Sequence, residues 1–105
     1  MQGFQLSFFT QQDCHHRGRP LGEWLLAEAR RLGVQSATLL QAAEGLDPRG
    51  RLHAAHFFEL GDQPLELTLA ATAEQAERLL ALLRDEHLNL FYIKTPIEFG
   101  MTGPA

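Results

Sequence analysis

Hydrophobic residues follow two different spacings along the chain, and the two spacings alternate. They occupy every second position in residues 4–8 and again in residues 65–69, which predicts strands with one apolar face. They recur every three or four positions in residues 21–32 and 73–83, which predicts two amphipathic helices. The chain therefore combines strands and helices within one short sequence.

The ends of the predicted helices carry recognisable signals. Pro20 stands in the first turn of the first helix, where its missing N–H is tolerated, and Gly33 follows the last turn. Thr72 and Gln75 form the capping-box pattern at the start of the second helix. These signals give each helix a defined beginning between strands.

Further segments have the composition of strands. They are residues 34–43, 52–60 and 88–93, and a break at residues 61–64 divides the third strand into two pieces. The order is strand, helix, strand, strand, helix, strand, which is the βαββαβ pattern of the ferredoxin-like α+β fold. Right-handed connections place both helices on one face of a single antiparallel sheet, with the first and third strands in its centre.

The last predicted strand is apolar on both sides. Leu88 and Leu90 point one way, whereas Phe91 and Ile93 point the other. The helices cover only one of these faces, and a large apolar patch is rarely left exposed on a monomer. The pattern therefore predicts self-association through the sheet face opposite the helices.

Length and composition fit one globular domain over residues 1–105. Of the 105 residues, 45% are hydrophobic and 21% are charged. The net charge of -4 argues against general nucleic-acid binding, which needs an excess of lysine and arginine. The single cysteine excludes an intramolecular disulfide, and no apolar run is long enough for membrane insertion. Because the N-terminal residues also lack the pattern of a secretory signal, we expect a cytoplasmic protein.

Several short motifs, taken in order, resemble a known family. The motifs are Gly18-Arg19-Pro20-Leu21, Gly33-Val34 followed by Ala37-Thr38, and Gly50-Arg51-Leu52-His53. Their order and spacing are similar to those of an uncharacterised bacterial branch of the PII-like superfamily, and the likeness covers residues 6–93. The chain departs from PII proteins before the last strand, where it reads Asp85-Glu86-His87-Leu88-Asn89 instead of a glycine-rich loop.

The resemblance implies a signalling regulator and not an enzyme. It implies a homotrimer whose sheets pack inward, with an adenine nucleotide (ADP, ATP or AMP) or a bicarbonate-type anion in clefts between subunits. Residues 44–64 match the T-loop-like segment between the second and third strands, which changes shape with the ligand and contacts a target such as a membrane transporter. No other cofactor is implied. Residues 96–105 are expected to form a tail that stays loose unless a partner orders it.

The candidates for binding this effector lie in the 44–64 segment and the last strand. Two arginines flank a glycine in that segment, and guanidinium forks suit phosphate or carboxylate. A trimer would bring the base of the segment near the last strand of a neighbouring subunit. The alternative is that the two arginines are solvated charges on a loop. Gly45 matches a glycine-rich turn and is expected to have a positive φ. The predicted effector-binding residues are Gly45, Arg49, Gly50, Arg51, His53 and Lys94.

Cysteine and histidine residues indicate an alternative function. Cys14, His15 and His16 are adjacent in the first loop, and thiolate and imidazole bind transition metals. His53 and His56 are three positions apart on a predicted strand, so they point to opposite faces and do not suit one metal ion. The runner-up is therefore a trimeric metal-binding or metal-tolerance protein that uses the first three residues, whereas the favoured interpretation assigns no metal site.

The sequence contains no convincing catalytic arrangement. Ser7 and Ser36 lie in strand-like segments without a nucleophile elbow. Cys14 is followed by His15, but catalytic pairs are held together by the fold and not by adjacency in sequence. We therefore predict no catalytic residue, and an enzyme or accessory subunit on the same fold is the third alternative.

Overall fold

The computed structural model describes residues 1–46, 48–54 and 63–104, with only the backbone at residues 53 and 54. Its elements, in chain order, are β1 (Gln2–Gln11), β2 (His15–His16), β3 (Arg19–Pro20), α1 (Leu21–Arg31), β4 (Ser36–Gln41), β5 (Glu44–Leu46), β6 (Leu52–Ala54), β7 (Pro64–Ala71), α2 (Ala73–Asp85) and β8 (Phe91–Glu98). Within this described part, neither helix is long and apolar enough to cross a membrane.

The main sheet has the predicted topology. It contains four antiparallel strands in the order β4-β7-β1-β8, so the first and third predicted strands are central and the other two are edges. The remaining strands pair separately, β2 with β3 and β5 with β6. This arrangement confirms the βαββαβ, ferredoxin-like α+β prediction.

Both helices pack on the same face of the sheet. Alternate side chains of β1 and β7 point to this face, and each helix adds the apolar stripe that its spacing predicts. The buried core is formed by Leu6, Phe8, Leu67, Leu69 and Ala71 from the sheet, and by Leu21, Trp24, Leu25, Ala29, Ala76, Leu79 and Leu83 from the helices. Since burying one large apolar side chain contributes about 1.5–3 kcal/mol, this layer is the main source of stability.

The capping box at the start of α2 is confirmed. Thr72 Oγ1 accepts a hydrogen bond from Gln75 N at 3.2 Å, and Gln75 Oε1 accepts one from Thr72 N at 3.0 Å. Gln75 Nε2 also donates to Gly33 O at 3.0 Å. Gly33 has a φ of +79°, the left-handed conformation that glycine adopts after a helix. The same side chain therefore caps α2 and ties it to the end of α1.

The last strand extends into the residues predicted to be a tail. It runs Phe91–Glu98 rather than over residues 88–93, because its pairing with β1 continues along its whole length. Pro96 lies inside it, which is compatible with its place at the edge of the sheet. The chain itself therefore orders the first part of the 96–105 segment.

Two segments predicted to be loops contain short hairpins. Residues 10–19 include β2, the turn that follows it and the first residue of β3, with which β2 pairs. Residues 44–51 include β5, which pairs with β6. Of the strand predicted over residues 52–60, β6 is the part that the structure describes, and residues 55–62 lie outside the described residues. Strands of two or three residues contain too few alternations to be recognised from their pattern.

Candidate functional site

The β5–β6 hairpin projects from the sheet where β4 ends. Two backbone hydrogen bonds fix its base: Ala42 N donates to Pro64 O, and Gln12 N donates to Gln63 O, both at 2.9 Å. The ends of β1 and β4 therefore meet the start of β7 at this point. The base of the predicted effector segment is thus set by the main sheet.

A cleft of about 410 Å³ lies beside the base of this hairpin. The segment that enters α1 forms one wall, and β4 with the start of β7 forms the other. Its apolar side includes Leu39, Leu40 and Leu65, and its polar groups are Gln12, Glu23 and Gln41. None of the described residues lining it is a lysine or arginine, so an anion held here would need a cation from outside the cleft.

Arg49 and Arg51 lie in the turn of the hairpin, on either side of Gly50. Both side chains are exposed, and Gly50 has a φ of +81°, a left-handed conformation that favours glycine. Three residues on each strand separate the turn from the base, which is a backbone distance of about 10 Å. The structure therefore brings the two arginines to one turn, at the tip of the hairpin rather than at its base.

Gly45 lies in β5, directly opposite His53 in β6. The expected positive φ is found at Gly50 and not at Gly45. A Cβ atom on Gly45 would lie 3.2 Å from the Cβ and Cγ atoms of Pro64, so close packing at the base of the hairpin accounts for this glycine. The side chain of His53 and the whole of His56 lie outside the described part of the chain.

Lys94 lies on β8, at the opposite edge of the sheet from β4. Its Nζ atom is 4.2 Å from the centre of the Phe4 ring, which is a cation–π contact. A single chain therefore does not bring Lys94 to the hairpin arginines, and its predicted role depends on a neighbouring subunit.

The three residues of the runner-up metal site do not converge. Cys14 packs against the hydrophobic core, the His15 ring bonds through Nδ1 to Asp13 O at 3.0 Å, and the His16 ring contacts Glu86. Among the side chains that the structure describes, in residues 1–46, 48–52 and 63–104, no three histidine, cysteine, aspartate or glutamate residues form a group that could hold a metal ion. The described structure therefore offers no support for the metal-binding alternative.

One charged cluster has no signal in the sequence pattern. Arg17 Nε and Nη2 donate to Glu86 Oε1 and Oε2 at 2.5 and 2.9 Å, and His16 Nε2 bonds to the same Oε1 at 2.9 Å. Arg17 and Glu86 are 69 positions apart, so only the fold brings them together. The cluster links the β2–β3 hairpin to the C-terminal end of α2.

Glu86 is strongly favoured as a carboxylate in this cluster. The hydrogen bonds from Arg17, which has the larger effect, and from His16 lower the pKa of Glu86 from 4.5 to about 2. The same interaction with Glu86 raises the pKa of the Arg17 guanidinium. A carboxylate whose pKa is lower in the folded state stabilises that state above its unfolded pKa, and this contribution is lost as acid protonates it.

Glu86→Gln is therefore expected to destabilise the protein in a pH-dependent way. The difference in Tm between the parent and the variant should be complete above about pH 5 and should shrink as the pH falls from 4.5 towards 2, because the parent then loses the same charge. Thermal unfolding followed by circular dichroism between pH 2 and 7 measures this difference. Glu74→Gln, which removes an exposed carboxylate paired with Arg78 on the same helix, is the control and should show a smaller effect. A difference in Tm that stays constant with pH would contradict the assignment.

Sequence comparison places the chain among proteins of one family. A family model described as DUF190, Uncharacterized ACR, COG1993, matches residues 3–93. A UPF0166 protein of Aquifex aeolicus (strain VF5) is 24% identical over 90 residues, which cover 85% of this chain and 86% of that protein.

Solved structures share the fold. A PII-like signaling protein from Thermus thermophilus superposes with a TM-score of 0.68 and 17% identity, covering 91% of this chain and 87% of that one. CPII, a nitrogen regulatory PII-like protein from Thiomonas intermedia K12, superposes with a TM-score of 0.67 and 19% identity, covering 96% of this chain and 91% of its own. That structure of CPII is bound to ADP, AMP and bicarbonate.

Proposed function

Because the chain belongs to the DUF190 family and has a PII-like fold, we propose that it is a PII-like signalling protein that binds a small anionic effector and regulates a partner protein. The proposed effector is an adenine nucleotide, a bicarbonate-type anion or both, as in the structure of CPII. The proposed activity is binding and regulation in the cytoplasm, without catalysis.

The main structural support for this proposal is the cleft at the base of the β5–β6 hairpin. Its apolar side and its amide and carboxylate groups suit the uncharged part of a nucleotide, since ligand sites combine apolar walls with a few polar groups. The cleft itself supplies no cation, whereas the turn of the hairpin carries Arg49 and Arg51. We assign the anionic group of the effector to these arginines, supplied either by the same chain or by a neighbour.

A homotrimer is part of the proposal, and the exposed sheet face supports it. Phe91, Ile93 and Leu40 lie on the side of the sheet away from the helices and are 53%, 48% and 50% exposed. Apolar side chains at this exposure on one face are better buried against other subunits. Leu40 also lines the cleft, so the cleft opens beside the face that the neighbouring subunits would cover.

The hairpin is the proposed contact with a regulated partner, such as a membrane transporter or another protein target. Leu46 and Leu52 face each other across its two strands and are 71% and 62% exposed. Exposed leucines at the tip of a projecting hairpin favour protein contact. An effector bound at the base is well placed to alter the position of this tip.

ADP, AMP or bicarbonate is expected to stabilise the protein. A ligand at a hundred times its Kd contributes about 2.7 kcal/mol to the free energy of unfolding, which raises the Tm of a domain of this size by about 10 °C or more. Thermal shift followed by calorimetric titration measures this, with ATP as a further ligand. Adenosine, which has the base and no phosphate, is the control and should bind much more weakly. If none of the anionic ligands raises the Tm or gives a heat of binding, the proposal is wrong.

A further inference from the structure

The β2–β3 hairpin is a small projection whose two ends border the cleft. Gln12 precedes it and Pro20 ends it, and both line the cleft. Two hydrogen bonds join the hairpin to the elements beside it, since Leu21 N of α1 donates to Cys14 O at 2.8 Å and Cys14 N donates to Gln11 O of β1 at 3.2 Å. The two ends of the hairpin therefore form part of the cleft wall, and the positions of Gln12 and Pro20 depend on what holds the hairpin between them.

The turn of this hairpin has an unusual backbone for its sequence. Arg17 and Gly18 have φ values of +51° and +75°, the two consecutive positive values of a tight hairpin turn. Gly18 adopts this conformation readily, but a residue with a long side chain does so only where its surroundings hold it. The side chain of Arg17 is therefore expected to be the group that fixes the turn.

The contact that holds the turn comes from a distant part of the chain. Both oxygens of Glu86 receive hydrogen bonds from Arg17, and this fork fixes orientation as well as distance. His16 reaches the same carboxylate, and its ring packs edge-on against Trp24 with centres 4.6 Å apart. Trp24 is 5% exposed and belongs to the core, so the hairpin is anchored both to the end of α2 and to α1.

We infer that Arg17, Glu86 and His16 are positioning residues for effector binding, because they fix the β2–β3 hairpin, whose two ends line the cleft. This inference rests on the proposed function of that cleft. None of the three lines the cleft, so they act through Gln12 and Pro20. The wall is held most firmly when Glu86 accepts both hydrogen bonds from Arg17.

Arg17→Ala is expected to weaken ADP binding by about three- to tenfold, the usual effect of a residue that acts through others. Arg17→Lys keeps the charge but cannot form the fork, so its affinity should be intermediate. Arg78→Ala is the matched control, because Arg78 is as exposed as Arg17, 64% against 66%, and also pairs with a glutamate. The partner of Arg78 is Glu74 on α2, whereas the partner of Arg17 is Glu86 just beyond that helix. The control should bind ADP as the parent does. Calorimetric titration measures all three variants.

Hydrogen exchange gives a second readout that needs no ligand. In Arg17→Ala, the amides of Cys14 and Leu21 should exchange faster than in the parent, while those of α2 should not change. Unchanged exchange in the hairpin would overturn the inference. If the parent binds ADP and Arg17→Ala binds it equally well, the positioning role is wrong and the proposed function stands. If the parent binds none of ADP, AMP, ATP and bicarbonate, the proposed function is wrong and the positioning role falls with it.

Discussion

Replacing Arg49 and Arg51 together with alanine is expected to weaken ADP binding about a hundredfold or more. A hydrogen bond to a charged group contributes about 1.5–3 kcal/mol. Since about 1.4 kcal/mol corresponds to a tenfold change in Kd, the loss of two such bonds weakens binding about a hundredfold or more. The cleft offers no replacement, because the described residues that line it include no lysine or arginine. Calorimetric titration of the parent and the double variant with ADP measures the difference.

The same double variant separates binding from folding. Both arginines lie in an exposed turn outside the main sheet, so the Tm and the oligomeric state should remain those of the parent. The matched control replaces Arg31 and Arg78, which also removes two exposed positive charges but from the helices, and it should leave the affinity within about twofold. If the hairpin variant and the control bind ADP equally well, the anionic group of the effector lies elsewhere.

If the protein is the proposed trimer, Ile93→Asp is expected to convert it into a monomer at micromolar concentration. Ile93 is 48% exposed on the sheet face opposite the helices, next to Phe91. A trimer that covers this face would bury a carboxylate in each subunit, and an unpaired buried charge costs several kcal/mol, on the order of 3–5. Sedimentation equilibrium of the parent and the variant measures the change in mass.

Leu46→Asp is the control for this experiment. Leu46 is 71% exposed in the β5–β6 hairpin, away from the sheet, so the variant should remain a trimer. A parent protein that is monomeric at micromolar concentration would contradict the proposed assembly. A trimer that survives Ile93→Asp would show that the subunits meet through another surface.

The sheet and helices were predictable because their signals are local. The alternation in residues 4–8 and 65–69 identified the two central strands, and the Thr72 and Gln75 pair identified the start of α2. The end of β8 was not predictable in the same way. Pairing with β1 carries that strand through Pro96, a residue that normally indicates the end of a strand.

The candidate site was predictable only in part. The sequence placed Arg49 and Arg51 together because a glycine lies between them, but it assigned the left-handed backbone to Gly45, and the structure has it at Gly50. The contact between Arg17 and Glu86 spans 69 positions, and no spacing rule connects residues so far apart. Positions that border the cleft, such as Glu23, carry no motif either, because a cleft wall is defined by the packing of α1 against β4.

The contact between His16 and Trp24 gives the protein an intrinsic optical reporter. Trp24 is the only tryptophan of the chain, so its fluorescence comes from one known place. The indole lies in the core while the imidazole beside it belongs to the β2–β3 hairpin, with ring centres 4.6 Å apart. Any movement of that hairpin changes the surroundings of the indole. If the proposed effector shifts this hairpin when it binds, stopped-flow fluorescence of Trp24 will measure the rate of binding without a dye or a label.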